Sequence, residues 1–166
     1  MSFVYVADTN FFIQAHRVTY PLDVVPGFWN KVRELALQGK IVSMDKVRNE
    51  IFKNDDELKE WCENNLPPEF WKDSTRNLSE YLRVAVWGAS QSQNYTTNAI
   101  QEFLDAEEAD AFLIAFALAD LDNRKVVTYE RSSHKRSKIK IPDVCNVFRI
   151  NCIDPITMFR ELQEKI

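Results

Sequence analysis

Four acids stand where chemistry could use them. Asp8 closes the apolar run Val4-Tyr5-Val6-Ala7, Glu130 follows Val126-Val127-Thr128-Tyr129, and Glu50 and Asp110 fall near the starts of helical segments. If the apolar runs are strands of a parallel sheet, ligands bind outside their carboxyl ends, and one sheet edge gathers all four acids. Carboxylates so gathered repel one another unless a cation lies between them. An oxygen-only set suits Mg²⁺ or Mn²⁺ and argues against zinc or copper. The matching chemistry is phosphodiester hydrolysis, in which such a metal lowers the pKa of the attacking water and neutralises charge on the phosphate and the leaving oxygen. Asn10 and Thr128 are suited to orient a metal-bound water or a carboxylate.

Each acid also has an ordinary reading. Most glutamates occupy solvated helix positions, and Glu50 sits beside the buried stripe of its helix. The dipole of a helix N-terminus accounts for Asp105, Glu107 and Glu108. Asp110 fits that account less well, because it lies further into a segment that is apolar almost all round, and a buried carboxylate needs a partner or a metal.

The elements that must position these acids alternate along the chain. Phe3 to Ala7, Lys40 to Met44, Lys125 to Thr128 and Val147 to Ile153 read as short buried strands. The first helix begins near Thr9 or Asn10 as cap and breaks into a loop at Tyr20-Pro21 and Pro26-Gly27; Phe28 to Gln38 is the next helix. Asp45 is a cap for Lys46 to Lys53. Asn54 with Glu57, and Asp105 with Glu108, read as capping boxes. Residues 54–104 carry helices at Leu78 to Ala89 and Thr97 to Phe103 and hold no strand signal, so they read as a helical insertion whose Trp71, Tyr81 and Trp87 belong to the core. Asp154-Pro155 starts the last helix. The expected fold is α/β: one domain over residues 1–166, with a central parallel sheet of about four strands and helices on both faces.

Composition sets the outer bounds. The chain has 166 residues, 45% of them apolar and 28% charged, the make-up of an ordinary globular protein. Its net charge of -4 gives no global basic field, so any nucleic-acid contact must be local. Arg131, Lys135, Arg136 and Lys138 lie in one basic stretch directly after Glu130, where they could meet a phosphate backbone; the ordinary reading is a solvated loop. No apolar run approaches the roughly 20 residues that span a bilayer, and no basic-then-apolar signal region opens the chain, so a cytoplasmic location is expected. Cys62, Cys145 and Cys152 form no CxxC pair and have only His16 and His134 for company, which argues against disulfides or structural zinc and for buried or inert thiols. GxGxxG and GxxxxGK[ST] loops are absent. An aspartyl-nucleophile phosphatase would want an acid where Asn10 stands, and neither histidine is set for a Ser/His/Asp triad.

The order Val-Ala-Asp8-Thr-Asn10, Val-Arg-Asn-Glu50-Ile, Ala-Asp110-Ala-Phe-Leu-Ile-Ala and Val-Val-Thr128-Tyr-Glu130 resembles the PIN domain family. The resemblance implies a three-layer α/β/α PIN-like fold and a Mg²⁺- or Mn²⁺-dependent ribonuclease, in many members the toxin of a toxin-antitoxin pair. By position it makes Asp8 the central metal ligand, with Glu50 and Asp110 as the other principal acids. Glu130 departs from the family's usual aspartate; its longer reach lets it bind through water or leave the site to the other three. Lys-Ile-Pro-Asp143-Val-Cys resembles the corresponding tail of a bacterial branch of PIN-like proteins, with Asp143 a fifth site acid or, by preference, a helix cap. The partners so implied are RNA and an antitoxin protein; a homodimer stays open. The alternatives are a PIN-like module that binds RNA or protein without cleaving, and a DNA-directed nuclease.

Overall fold

The computed structural model describes residues 2–166. Short β-branched and aromatic runs form β1 (Val4–Ala7), β2 (Ile41–Met44), β3 (Trp71–Lys72), β4 (Arg124–Val127) and β5 (Cys152–Ile153), all parallel, in the order β3-β2-β1-β4-β5. The first strand is thus the central one. Tyr5, Val6 and Ala7 are all buried, as is every residue of β2. Successive strand side chains point to opposite faces, so the middle of the sheet is covered on both sides, as parallel sheets require.

The covering helices are α1 (Thr9–Gln14), α2 (Pro26–Leu37), α3 (Asp45–Phe52), α4 (Glu57–Asn65), α5 (Leu78–Ala89), α6 (Thr97–Leu104), α7 (Asp110–Leu118), α8 (Ile141–Phe148) and α9 (Pro155–Leu162). Phe28 of α2 packs against Phe11 of α1 and Phe159 of α9, while Tyr5 donates a hydrogen bond to Glu161 of α9 at 2.7 Å. α5, α6 and α8 pack instead on α7. The α/β class and the parallel sheet flanked by helices are as expected. Buried residues from Tyr5 to Phe159 form one cluster. No described helix is long and apolar enough to cross a membrane.

Several boundaries differ from the sequence expectation, each for a local reason. The 54–104 segment is not purely helical: Trp71–Lys72 adds a strand beside Ser43 and Met44, and two residues are too few to leave an alternation in sequence. Val147 and Phe148 end α8 rather than open a strand. Arg149 takes a left-handed conformation (φ 59°) and Ile150 N–H closes on Cys145 O at 2.9 Å, which terminates the helix and leaves only Cys152–Ile153 for β5. The first helix is capped by Asp8 and runs on through a π-helical turn, Ala15–Thr19. Asp56, not Asn54, caps α4. Asp45 stands inside the first turn of α3 and accepts from Ser74 N–H at 3.3 Å. The Asp105–Glu108 segment is a turn, so α7 begins only at Asp110.

The level at which strands leave the sheet is common to the site. Val6 and Ala7 pair with Val126 and Val127, which pair with Cys152 and Ile153, so Asp8, Thr128 and Asp154 emerge together at the carboxyl edge.

One close approach within the insertion is testable. A Cβ on Gly88 of α5 would stand 2.9 Å from the Phe103 ring, which is buried and held edge-on by Trp87. Gly88→Ala is expected to lower unfolding free energy by about 1–3 kcal/mol in urea titration, despite alanine's better helix propensity; a gain in stability would show that the ring is free to swing aside.

Candidate functional site

The acids gather at the carboxyl edge, but each is held differently. Asp8 is 2% exposed. Its Oδ1 accepts from Phe11 N–H at 2.8 Å, capping α1, and its Oδ2 accepts from the Thr128 hydroxyl at 2.5 Å. Burial pushes its carboxyl up to about 7 against the pull of these two donors, and the charge of Glu130 pushes the same way. Asp154 caps α9 through Thr157 N–H at 2.9 Å in the same local motif, yet it is exposed and its carboxyl is held below the usual range by that donor. Burial separates the two aspartates.

Glu50 and Glu130 are both tied to helix N-termini. Glu50 Oε1 accepts from Ala109 N–H at 2.8 Å, at the start of α7, and Oε2 accepts from the Thr9 hydroxyl. Glu130 Oε2 accepts from Ile141 N–H at 2.9 Å, at the start of α8, where no local side chain supplies a cap. Its Oε1 lies 3.6 Å from Lys138 Nζ and 3.9 Å from Lys140 Nζ. Asp110, the first residue of α7, has its carboxyl raised well above the usual range, first by burial and then by the charges of Glu130, Asp8 and Glu50, with Lys138 opposing. Asp110 is therefore within electrostatic reach of the other three acids named from sequence, and Asp8 of Glu130.

Two groups were not anticipated in their observed roles. Glu108 has its carboxyl raised by burial and by the charge and hydrogen bond of Glu50. In a helix starting at Asp105 it would point well away from Asp110; the turn before α7 instead brings both to one crevice with Glu102 and Lys138. Lys138, expected to face a phosphate backbone, turns inward. Burial alone would lower its pKa, but the charges of Glu130, Asp110 and Glu102 outweigh that and hold the ammonium above its usual value. Arg131, Lys135 and Arg136 stay exposed. Asp143 accepts from the Ser132 hydroxyl and from Ser133 N–H at 3.4 Å, so it ties down the basic loop; Glu130 takes the capping role expected of it.

The crevice beside Asp110 has a volume of about 10 Å³, room for one water-sized particle. A separate cavity of about 360 Å³ opens along Thr128, Glu130, Arg131 and Asp154. The largest cavity, about 480 Å³, lies at the other end of the strands by Val4, Gly39 and Phe70 and has no part in this chemistry. Cys62 and Cys145 are buried, as expected, and Cys152 is half-buried; all three are free. Burial pushes the Cys62 thiol up to about 12, and the neighbouring Cys152, followed by burial, raises that of Cys145.

Among the described residues no three His, Cys, Asp or Glu side chains stand closely enough to hold a metal ion together. The donor chemistry nevertheless fits a hard cation: the acids supply only oxygen, Asp110 is opposed by three carboxylates, and Asn10 Oδ1 is buried without a hydrogen-bond partner. Mg²⁺ commonly needs only one or two carboxylates and fills its remaining positions with water and phosphate oxygens.

The raised Asp8 carboxyl has a measurable consequence. In the folded chain it releases its proton near pH 7, whereas unfolded it does so near 4. Its contribution is intact below about pH 4, is lost as pH rises to 7, and costs on the order of 4 kcal/mol above that. In chelator, Asp8→Asn should therefore gain on the wild type between pH 5 and pH 8 in urea titration. A variant equally unstable at both pH values would mean that Asp8 is ionised throughout.

Comparisons with curated proteins and with solved structures find no match. A family model does match, over residues 5–166, from β1 to the chain's last residue; it describes a domain of unknown function, DUF4411. A match of that extent covers the sheet, the acid edge and the basic loop together, and the chain belongs to the DUF4411 family.

Proposed function

We propose that the chain is a divalent-metal-dependent endoribonuclease built on a PIN-like plan. One observation carries the proposal: Asp110 stands within electrostatic reach of Asp8, Glu50 and Glu130, contributed by separate elements, at the carboxyl edge of a parallel sheet. Asp8 and Asp110 are the residues that would hold Mg²⁺ or Mn²⁺. When bound, the ion supplies an acidified attacking water and neutralises charge on the phosphate. The Thr128 hydroxyl fixes one Asp8 oxygen, and Phe11 N–H fixes the other. Asn10 Oδ1, without a partner in the fold, is available to accept from a water. Glu50 and Glu130 act mainly as positioning residues, because their oxygens hold the N-termini of α7 and α8. The exposed Arg131, Lys135 and Arg136 suit a polyanion, and Lys138 balances the acids until one arrives.

RNA as substrate, and a toxin role with an antitoxin partner, rest on the resemblance to PIN domains. DNA would suit the same chemistry. A second reading, a PIN-like module that binds RNA or protein without cleaving, is favoured by the hydrogen bonds that occupy Glu50 and Glu130.

The test is incubation of end-labelled single-stranded RNA, with DNA in parallel, in Mg²⁺ or Mn²⁺. The wild type is expected to cleave, and Asp8→Asn and Asp110→Asn to lose at least about a hundredfold. Mn²⁺ should also raise the thermal midpoint of the wild type at pH 8 and leave that of Asp110→Asn unmoved. Equal cleavage by all three proteins would assign the activity to a contaminant; absence of both cleavage and metal-induced stabilisation would favour the binding module.

A further inference from the structure

A further cavity, of about 380 Å³, lies against the basic loop at Ser133, His134 and Lys135, away from the residues that line the acid crevice. Its wall is made by the end of α5, the turn into α6, the loop itself and α8. Trp87 and Tyr95 supply half-buried aromatic surface, Gln91, Asn94 and Asn146 supply side-chain amides, and Lys135 supplies an exposed cation. The parts are held in place. Trp87 is braced edge-on by Phe103 and Phe148, Asn94 Nδ2 donates to Gln91 Oε1 at 3.0 Å, and Thr96 N–H donates to Arg136 O at 2.9 Å, fastening the loop to the start of α6. Asp143 anchors the same loop from α8 through Ser132 and Ser133.

This combination matches one ligand class better than others. Aromatic surface stacks on a base of any sequence, amides pair with the donors and acceptors on its edge, and a lysine meets the adjoining phosphate. A purely apolar ligand would make no use of the exposed Asn94 and Asn146 amides, and a bare anion would have no use for the aromatic rings. The position also matters. The loop passes from Lys135, at this cavity, to Lys138, 3.6 Å from Glu130 at the acid edge. Three residues of chain span at most about 11 Å, short enough for one strand of nucleic acid to touch both.

We propose that this cavity is a nucleobase-binding subsite that receives an unpaired base of single-stranded nucleic acid and sets where along the strand the acid edge acts. The inference rests on the nuclease reading for its purpose, though not for its chemistry.

The experiment measures fluorescence anisotropy of the full chain with a labelled single-stranded oligonucleotide, as RNA and as DNA, and with an abasic sugar-phosphate strand of equal length. Chelator is present, so that binding is read without catalysis. The intact strand should bind about tenfold or more tightly than the abasic one. Tyr95→Ala and the exposed Asn146→Ala should erase that preference while leaving abasic binding unchanged, and Lys135→Ala should weaken both strands alike. General unfolding would weaken both strands, so loss of the preference alone identifies the subsite. Equal binding of intact and abasic strands, no binding of either, or a preference untouched by Tyr95→Ala and Asn146→Ala would each overturn the proposal. The expected binding pattern without cleavage in Mg²⁺ or Mn²⁺ would keep the subsite and remove the nuclease.

Discussion

Carboxylates crowded into a nearly dry sheet edge are the constraint on which the rest of this structure depends. Removing an ionised carboxylate from water without a partner is prohibitively costly, and here burial raises the carboxyl of Asp110, with the charges of Glu130, Asp8 and Glu50 adding to it. The fold offsets that cost with backbone donors. Asp8 takes the N-terminus of α1, Glu50 that of α7 and Glu130 that of α8, so helix starts with their positive dipole ends converge on the acids. Lys138 and Lys140 supply formal positive charge beside Glu130. Asp110 is left with the most repulsion and the least compensation, and Asp8 with the most burial.

The same arrangement makes the edge both a structural joint and a candidate reaction site. Glu50 ties the start of α7 to α3, and Glu130, just past β4, ties down the start of α8, each accepting one backbone hydrogen bond there. Asp8 is engaged as well, through Phe11 N–H and the Thr128 hydroxyl; what sets Asp8 and Asp110 apart is that burial and neighbouring charge raise their carboxyls, so they gain most from a cation. The crevice beside Asp110 holds little more than one water. The wider cavity along Thr128, Glu130 and Arg131 reaches only Glu130 of the four acids, and the basic loop separates it from the aromatic one.

Much of this was legible before the fold was known, because some signals are local. Asp8, Glu130 and Asp154 could be placed at strand ends from the apolar runs beside them, and the Leu78 to Ala89 helix from its periodicity. Glu108 was not legible as a site group. Its apparent capping box put the helix cap at Asp105, four residues before the observed cap at Ala109, and so left Glu108 explained by the helix dipole alone. Lys138 looked like one more cation in a solvated loop, since nothing in a linear basic stretch says which lysine turns inward. The two-residue strands β3 and β5 leave too short a pattern to read.

The sequence by itself determined the α/β order and the kinds of oxygen donor available, because hydrophobic period, turn residues and side-chain chemistry are properties of short segments. Only the tertiary structure decided which acids are buried, which are spent as caps and which cation balances them. Those outcomes depend on dielectric and on backbone donors contributed across the chain: Glu50 meets Ala109, Glu130 meets Ile141, and Asp8 meets Thr128. Asp8 and Asp154 show the difference most plainly. Their local cap motifs match, and their carboxyls move in opposite directions because one is sealed between strands and the other faces water.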